Sequence, residues 1–334
     1  MGPAGAQQED NAMRRRDLIL GASLAVLSVR SVRAAERRGP RRITVFTTAN
    51  AIADLAKLRE GLARLGLVEG TGYHLALVSA NGDLSRLQDL VADVVRDAPD
   101  VVVAVSTPSV RAWRDAKTDI PIIMAVVSDP VALGLVDSLR RPGGTITGVT
   151  NATQHLGPKR LALLQEFVPH VRRVGAFYNP DDPITAAQMR DLSVAAPRFG
   201  VDLRFWTNRN PAEARESFAA AVAAGTEAVL FVPGLVSAYA DTIASLSLQH
   251  RLPAAVTYPE HLAQGGLFAY YTDVDEHWDR VAGQVDRILK GTRPVDIPVE
   301  EPTRFRLTVS QRTARLIGIA IPPTLQAQAD EVLE

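Results

Sequence analysis

Residues 101–130 read VVVAVSTPSVRAWRDAKTDIPIIMAVVSDP, and the order of side chains here sets the expectation for the whole chain. Val101 to Val105 is an apolar, valine-dominated run, as in a strand buried on both faces of a parallel sheet. Ser106-Thr107-Pro108 then offers hydroxyls and a proline where a helix begins. Ser109 to Ala116 reads as that helix, and Ile122 to Val127 as the next buried strand. A hydroxyl, an acid and a proline follow again at Ser128-Asp129-Pro130. Strand, polar turn, helix and strand form the repeating unit of a parallel sheet with crossover helices.

The unit recurs on both sides of this stretch. Upstream lie strands Ile43 to Phe46 and His74 to Ser79, with helices Asp54 to Leu65 and Leu84 to Arg96. In the second helix Leu84, Leu87, Leu90, Val91, Val94 and Val95 are expected on one side, with Arg86, Asp89, Asp93 and Arg96 elsewhere. Downstream, the turn cluster Arg141-Pro142-Gly143-Gly144 leads into a short strand, Thr145 to Val149, which is expected to be the first crossing between lobes. A second series begins beyond it: helix Pro158 to Phe167, strand Arg173 to Tyr178, helix Pro183 to Phe199 and strand Asp202 to Trp206. It continues with helix Pro211 to Ala224, strand Ala228 to Phe231, helix Ala238 to His250 and strand Ala254 to Thr257. Helix Glu276 to Lys290, an extended run from Pro302 to Val309 and the segment Thr313 to Gly318 are expected to recross between the lobes.

A chain of 334 residues is long enough for two lobes, each burying its own core. The expected division is a leader over 1–40, an N-terminal lobe over 41–148, a C-terminal lobe over 149–275, and a segment over 276–334 packing across both. The two halves share architecture without evident sequence identity. The fold class expected is α/β, two Rossmann-like lobes with parallel sheets.

Lys plus Arg and Asp plus Glu number 37 each, so no net field exists to hold nucleic acid or an anionic membrane surface. Hydrophobic residues at 46% and charged residues at 22% suit a globular body rather than a disordered one. The chain has no cysteine. That removes thiol nucleophiles, disulfides, thiolate metal sites and a lipid-anchor cysteine together.

Arg14-Arg15-Arg16, an apolar run from Leu18 to Val29 and the small pair Ala34-Ala35 form the pattern of an export signal, too short to span a membrane. The doubled arginines ahead of Asp17-Leu18-Ile19-Leu20 resemble a twin-arginine signal, with cleavage expected near Ala34. Met13 directly precedes the arginines and is a second possible start.

Ligands collect beyond the carboxyl ends of strands in parallel sheets, because helix N-termini there offer unpaired N–H groups. The loops at those positions are rich in hydroxyls and amides: Thr47-Thr48-Ala49-Asn50, Ser106-Thr107-Pro108, Ser128-Asp129-Pro130 and Thr150-Asn151 in the first lobe, then Asn179-Pro180, Pro233-Gly234 and Thr257-Tyr258 in the second. Each is also an ordinary cap or turn residue. Their convergence on one cleft would suit a polar ligand with a carboxylate, held by hydrogen bonds. Asp129 is open to two readings, acceptor for a ligand ammonium or cap of a helix after Pro130. Tyr258, Tyr270 and Tyr271 are likewise open between a stacking surface for the ligand and core packing.

Signs of enzyme chemistry are missing from the sequence. The loop from Thr47 to Ala53 contains no glycine, against a dinucleotide fingerprint. Neither Gly-x-x-x-x-Gly-Lys-Ser/Thr nor Gly-x-Ser-x-Gly occurs. The histidines show no close pair and no carboxylate at metal spacing beyond coincidences such as Glu260-His261 and Glu276-His277, so each is read as a surface or structural residue. No catalytic group, cofactor or metal is expected.

Gly61-Leu62-Ala63-Arg64-Leu65-Gly66-Leu67-Val68-Glu69-Gly70, the block from Asp129-Pro130-Val131 through Gly134-Leu135-Val136 to Arg141-Pro142-Gly143-Gly144-Thr145-Ile146-Thr147-Gly148, and the closing Ile321-Pro322-Pro323-Thr324-Leu325 with Ala329-Asp330-Glu331-Val332 resemble the ABC-transporter substrate-binding protein family that includes tryptophan/tyrosine-type receptors. Asn179-Pro180, Leu252-Pro253-Ala254, Gly265-Gly266-Leu267, Ile288-Leu289-Lys290-Gly291 and Pro298-Val299-Glu300 are in register with it too. The resemblance covers nearly everything after the leader. It implies a type I periplasmic-binding-protein fold with three crossings, a small-molecule ligand clamped between lobes, and a membrane permease and ATPase as partners of a monomer. Carried over by position, Asn50, Ser106, Thr107, Ser128, Asp129, Asn151 and Asn179 fall where family ligand contacts lie. The chain departs at Tyr270-Tyr271-Thr272-Asp273, where relatives often carry Ser-Tyr-Gly, and at Ser310, where Asn is common. With such a fold, lobes would hinge near Gly148 and close between Ser106/Ser128 and Asn179/Tyr258. The other reading on the same fold is a periplasmic sensing subunit for a signalling receptor.

Overall fold

The computed structural model describes residues 39–48, 52–152, 155–182, 185–234 and 239–334. The leader and Asn50 lie outside the described residues. The chain begins as the pattern over 101–130 implies. β1 (Arg41–Thr47), β2 (Tyr73–Ser79), β3 (Val101–Val105), β4 (Ile122–Val127) and β5 (Ile146–Thr150) form one five-stranded sheet in the order β2-β1-β3-β4-β5. Every pair in it is parallel, because each connection carries the chain back over a face before the next strand starts. Between them run α1 (Ile52–Arg64), α2 (Leu87–Asp97) and α3 (Thr107–Ala116).

The valines of β3 are buried along the whole strand. One face of the sheet packs Val101, Val103 and Ile123 against α1. The other packs Val102, Ala104 and Met124 against α2 and α3. The apolar stripe of α2 is narrower than its sequence suggests: Leu87, Val91 and Val94 are buried, whereas Leu84 is 53% and Val95 37% exposed. Leu84–Arg86 is a separate tight turn, capped by Asp83 accepting from the Ser85 N–H. The α-helical register therefore starts at Leu87, and positions i, i+4 and i+7 from there are buried, with Leu90 at i+3 partly buried against the same core.

The second sheet is built from β6 (Arg173–Tyr178), β7 (Asp202–Thr207), β8 (Ala228–Phe231), β9 (Ala254–Val256), β10 (Phe268–Thr272), β11 (Phe305–Ser310) and β12 (Glu331–Leu333), ordered β12-β11-β10-β9-β8-β6-β7. Its part β7-β6-β8-β9-β10 repeats the order of the first sheet. α4 (Gly157–Phe167), α5 (Thr185–Ala195), α9 (Gln311–Ile317) and α10 (Pro323–Gln328) contribute to the core on one face. α6 (Pro211–Ala223) and α7 (Ala240–Gln249) cover the other.

The chain crosses between the sheets three times: after β5, after β10 and before β11. After β10 it forms α8 (Val274–Leu289), whose Trp278, Val281, Ala282, Val285 and Ile288 join the core of the first lobe against Leu55, Leu58 and Leu62 of α1. Gly61 permits this approach, since a Cβ there would lie 2.8 Å from the Ala282 Cβ. The return crossing explains one departure from an all-parallel expectation. β11 starts where β10 ends, with Phe305 opposite Thr272, so it must run antiparallel to β10. Strand β10 and the two last elements, α10 and β12, do not separate out by hydrophobic pattern, because each is six residues or shorter.

The crossings are bonded to one another. The Glu300 N–H donates to the Gly148 carbonyl and the Thr150 N–H to the Glu300 carbonyl, both at 2.9 Å. Thr272 Oγ1 donates to the Asn151 carbonyl at 2.6 Å, and the Asp273 N–H to the Arg304 carbonyl at 3.0 Å.

Candidate functional site

A cavity of about 180 Å³ opens where these crossings meet the carboxyl ends of the strands. That is below the roughly 300–1,000 Å³ of pockets for drug-sized ligands, and suits a single small molecule. Val126 of β4 walls it from the first lobe, and Tyr258, Pro259 and Tyr271 from the second. Asn151, Thr272 and Val274 of the crossings and His277 and Trp278 of α8 complete it, with Glu260 exposed at the rim. The lining is predominantly apolar and rich in aromatic rings.

Local backbone strain positions parts of this edge. Val126 has φ 57°, a conformation that is unfavourable for a β-branched residue. The β4–β5 register shifts between Met124 and Val127, and the irregularity re-aims Val126 into the wall. Ser106, just before α3, has φ 82° and ψ 153°, a region that is almost the preserve of glycine and costs about 1–3 kcal/mol. Its hydroxyl lies 3.3 Å from Thr48 Oγ1 and 3.4 Å from Ser109 Oγ, and it makes no side-chain cap on α3.

Of the residues singled out from sequence, Asn151 and Tyr258 line the cavity. Ser106, Thr107, Ser128 and Asp129 follow β3 and β4 along the same carboxyl edge, outside the cavity wall. Asp129 accepts from the Ala132 N–H at 3.0 Å and so caps the turn after Pro130. Asn179 follows β6, buried, accepting from the Asp181 N–H at 2.9 Å. Tyr270 packs beside the core and stacks on Phe305 at 5.9 Å. Its neighbour Tyr271 points to the opposite face of β10, as adjacent strand residues must, and lines the cavity with its hydroxyl 3.1 Å from Thr308 Oγ1.

Among the described residues several buried polar atoms lack a partner: Thr150 Oγ1 and Thr257 Oγ1, next in sequence to the wall residues Asn151 and Tyr258, both terminal nitrogens of Arg160, and one ring nitrogen of His277, whose other contact is the Thr150 backbone. Such groups are rare in folded proteins and call for an explanation. Arg160 of α4 is fully buried, and its Nε donates to the Tyr270 carbonyl at 2.9 Å. Burial lowers its guanidinium to about 10, against an opposing influence of Tyr258 and Tyr270. Burial conversely pushes the Tyr258 hydroxyl up, with Arg160 pulling it down. Neither Arg160 nor His277 stood out in sequence, since an arginine on an amphipathic helix and a lone histidine normally face solvent or core.

A family model described as ABC transporter substrate binding protein matches residues 43–333. The chain belongs to this family. Its members are binding proteins for transporters rather than enzymes. A protein named tyrosine-binding protein from Clostridioides difficile is 25% identical to this substrate-binding protein over 256 residues, 76% of this chain and 73% of the relative. A solved domain from Streptococcus pneumonia in complex with L-Trp is similar in fold, with a TM-score of 0.78, 22% identity, and coverage of 88% of this chain and all of that one (100%). A conserved domain protein from Vibrio cholerae gives a TM-score of 0.78 at 23% identity, covering 87% of this chain and 99% of its own. These likenesses establish the α/β fold of two parallel-dominated sheets. Among the described residues no helix is long and apolar enough to cross a membrane.

Proposed function

We propose that this substrate-binding protein is exported and captures an aromatic amino acid or a close relative between its lobes, delivering it to a membrane permease and its ATPase. The observation that carries the reading is the cavity at the crossings, apolar and aromatic in its wall, with unmatched buried polar atoms beside it. Tyr258, Tyr271 and Trp278 supply flat apolar surface for a ring. Ser106 with the uncapped start of α3, and Arg160 behind Tyr258, favour the ligand's carboxylate on the two sides of the cleft. The tyrosine-binding name of one relative and the L-Trp complex of another support the same ligand class. The leader over Arg14 to Ala35 supports export, and the absence of cysteine supports release without a lipid anchor.

Closure would swing the second lobe about the three crossings, bringing Asn179 and Tyr258 toward Ser106 and Ser128. Isothermal titration of the purified protein with the twenty amino acids tests the reading. Binding of tyrosine, tryptophan or phenylalanine, with acidic and aliphatic amino acids at least about tenfold weaker, is the expected outcome. Failure of every aromatic amino acid to bind would remove the ligand assignment. Periplasmic recovery of a reporter fused to residues 1–40, lost when Arg15 and Arg16 become lysine, tests export.

A further inference from the structure

His277 occupies the first turns of α8, directly after the second crossing, and its side chain forms part of the cavity wall. It is 4% exposed. The ring is held in place: it meets Trp278 edge to face at 5.7 Å, and its backbone N–H donates to the Asp273 carbonyl. Trp278 is itself anchored through a hydrogen bond to the Asp54 carboxyl, which burial nevertheless pushes up.

Polar neighbours in the wall already have work. Thr272 Oγ1 donates to the Asn151 carbonyl, and the Tyr271 hydroxyl meets Thr308. His277 is different: the Thr150 backbone is its one hydrogen-bond contact, and the second ring nitrogen has no partner among the described residues. Burial drives its imidazole down to about 4, outweighing the nearby Thr150 backbone, which favours the protonated ring. A neutral imidazole carries one N–H and one lone pair. With the N–H turned toward the Thr150 carbonyl, the other nitrogen offers an acceptor. A buried acceptor in an apolar wall is destabilising until it is paired.

We propose that His277 sets the specificity of the site, accepting a hydrogen bond from a donor on the ligand's aromatic ring, so that a phenol or indole is preferred over a plain phenyl group. This rests on the aromatic amino-acid reading above and adds to it a choice among aromatic ligands. The physical basis is an asymmetry: a phenyl ring fills the same space yet leaves the histidine unpaired.

Calorimetric titration with L-tyrosine, L-tryptophan, L-phenylalanine and O-methyl-L-tyrosine tests this on the wild-type protein and on His277→Leu and His277→Gln. The expected result is tyrosine or tryptophan binding at least about tenfold tighter than phenylalanine, with O-methyl-tyrosine losing the advantage because it has no donor. His277→Leu should bring the ratio within about threefold by weakening the donor-bearing ligand alone, and His277→Gln, which keeps an acceptor, should restore part of it. If His277→Leu does not fold, the O-methyl-tyrosine comparison on wild type and the His277→Gln ratio decide. Equal wild-type affinity for phenylalanine, tyrosine and tryptophan overturns the inference while leaving the aromatic reading intact. Equal weakening of all ligands in both variants also overturns it, since that marks a structural role. If no aromatic amino acid binds, both readings fall.

Discussion

Glu276 on the second crossing accepts a hydrogen bond from Thr303 Oγ1 on the third at 2.5 Å. The same carboxylate takes the Thr303 and Arg304 N–H groups at 3.1 and 2.7 Å. Arg280 reaches it at 2.8 Å and Glu300 at 2.9 Å. One buried acid thus ties together the two strands of chain that return to the first lobe and leave it.

Replacing that acid should loosen the hinge. Glu276→Ala leaves the Thr303 and Arg304 N–H groups without their acceptor and Arg280 with Glu300 as its remaining carboxylate partner, and an expected loss of about 1–2 kcal/mol follows from the part-buried donors left unmet. Urea denaturation read by circular dichroism checks it. A midpoint unchanged from wild type would mean that the cluster contributes little.

Acid should weaken the fold in two windows. His277 is held down to about 4 from an ordinary 6.5 by burial, with Glu276 raising and Arg280 lowering it. The unfolded chain therefore takes up a proton below pH 6.5 that the folded chain refuses, and stability present above 6.5 is lost as the pH falls toward 4. Burial would raise the Glu276 carboxyl, but hydrogen bonds from Thr303, Arg280 and the Arg304 N–H hold it at about 2 against an ordinary 4.5. Its contribution is full above pH 4.5 and is lost on the way down to 2. Melting temperatures from neutral to acid pH should show both slopes in wild type, and only the lower one in His277→Leu.

Val126→Gly should separate stability from binding. Glycine relieves the positive φ, which offsets the lost side chain, so melting temperature should stay level or rise slightly. Ligand affinity should fall severalfold because one wall of the cavity is gone. A variant that binds as wild type does would show that Val126 stands outside the ligand's reach.

Gly148→Ala is expected to be costly for the opposite reason. Gly148 has φ 148°, and an added Cβ would lie 2.2 Å from the Met124 carbonyl oxygen, which is backbone and has nowhere to go. A loss of at least about 1–3 kcal/mol is expected. Thermal unfolding followed by near-ultraviolet circular dichroism measures it.

Arg160→Met tests the buried guanidinium. An apolar side chain of similar length removes two unpaired charged donors at the expense of one bond to the Tyr270 carbonyl. Ligand-free stability is therefore expected within about 1 kcal/mol of wild type. The rise in melting temperature on adding ligand should shrink, because the charge proposed to favour the ligand's carboxylate is lost. An undiminished rise would assign Arg160 to the fold alone.

Periodicity and punctuation along the chain were sufficient for the alternation of strands and helices, the turn at Arg141 to Gly144 and the polar strand-end loops. These are local: side-chain period and turn chemistry act over a few residues. The same locality misplaced Leu84 and Val95 on the buried side of a helix, because a capped tight turn shifted its start. It also left Asp129 open between ligand and cap, a choice that depends only on where the Ala132 N–H lies.

Sequence by itself determined the α/β class, the family to which the chain belongs and the want of enzyme motifs, all carried by short-range pattern. Tertiary structure alone decided that α8 packs on α1, that β11 runs antiparallel, that Tyr271 rather than Tyr270 faces the cavity, and that His277 and Arg160 are buried with nitrogens left unmet. Those facts come from three crossings that bring residues more than a hundred positions apart, such as Asn151 and Thr272, within hydrogen-bonding distance. Burial and partnership at such a junction depend on which distant segments arrive together, and no window of neighbouring residues contains that information.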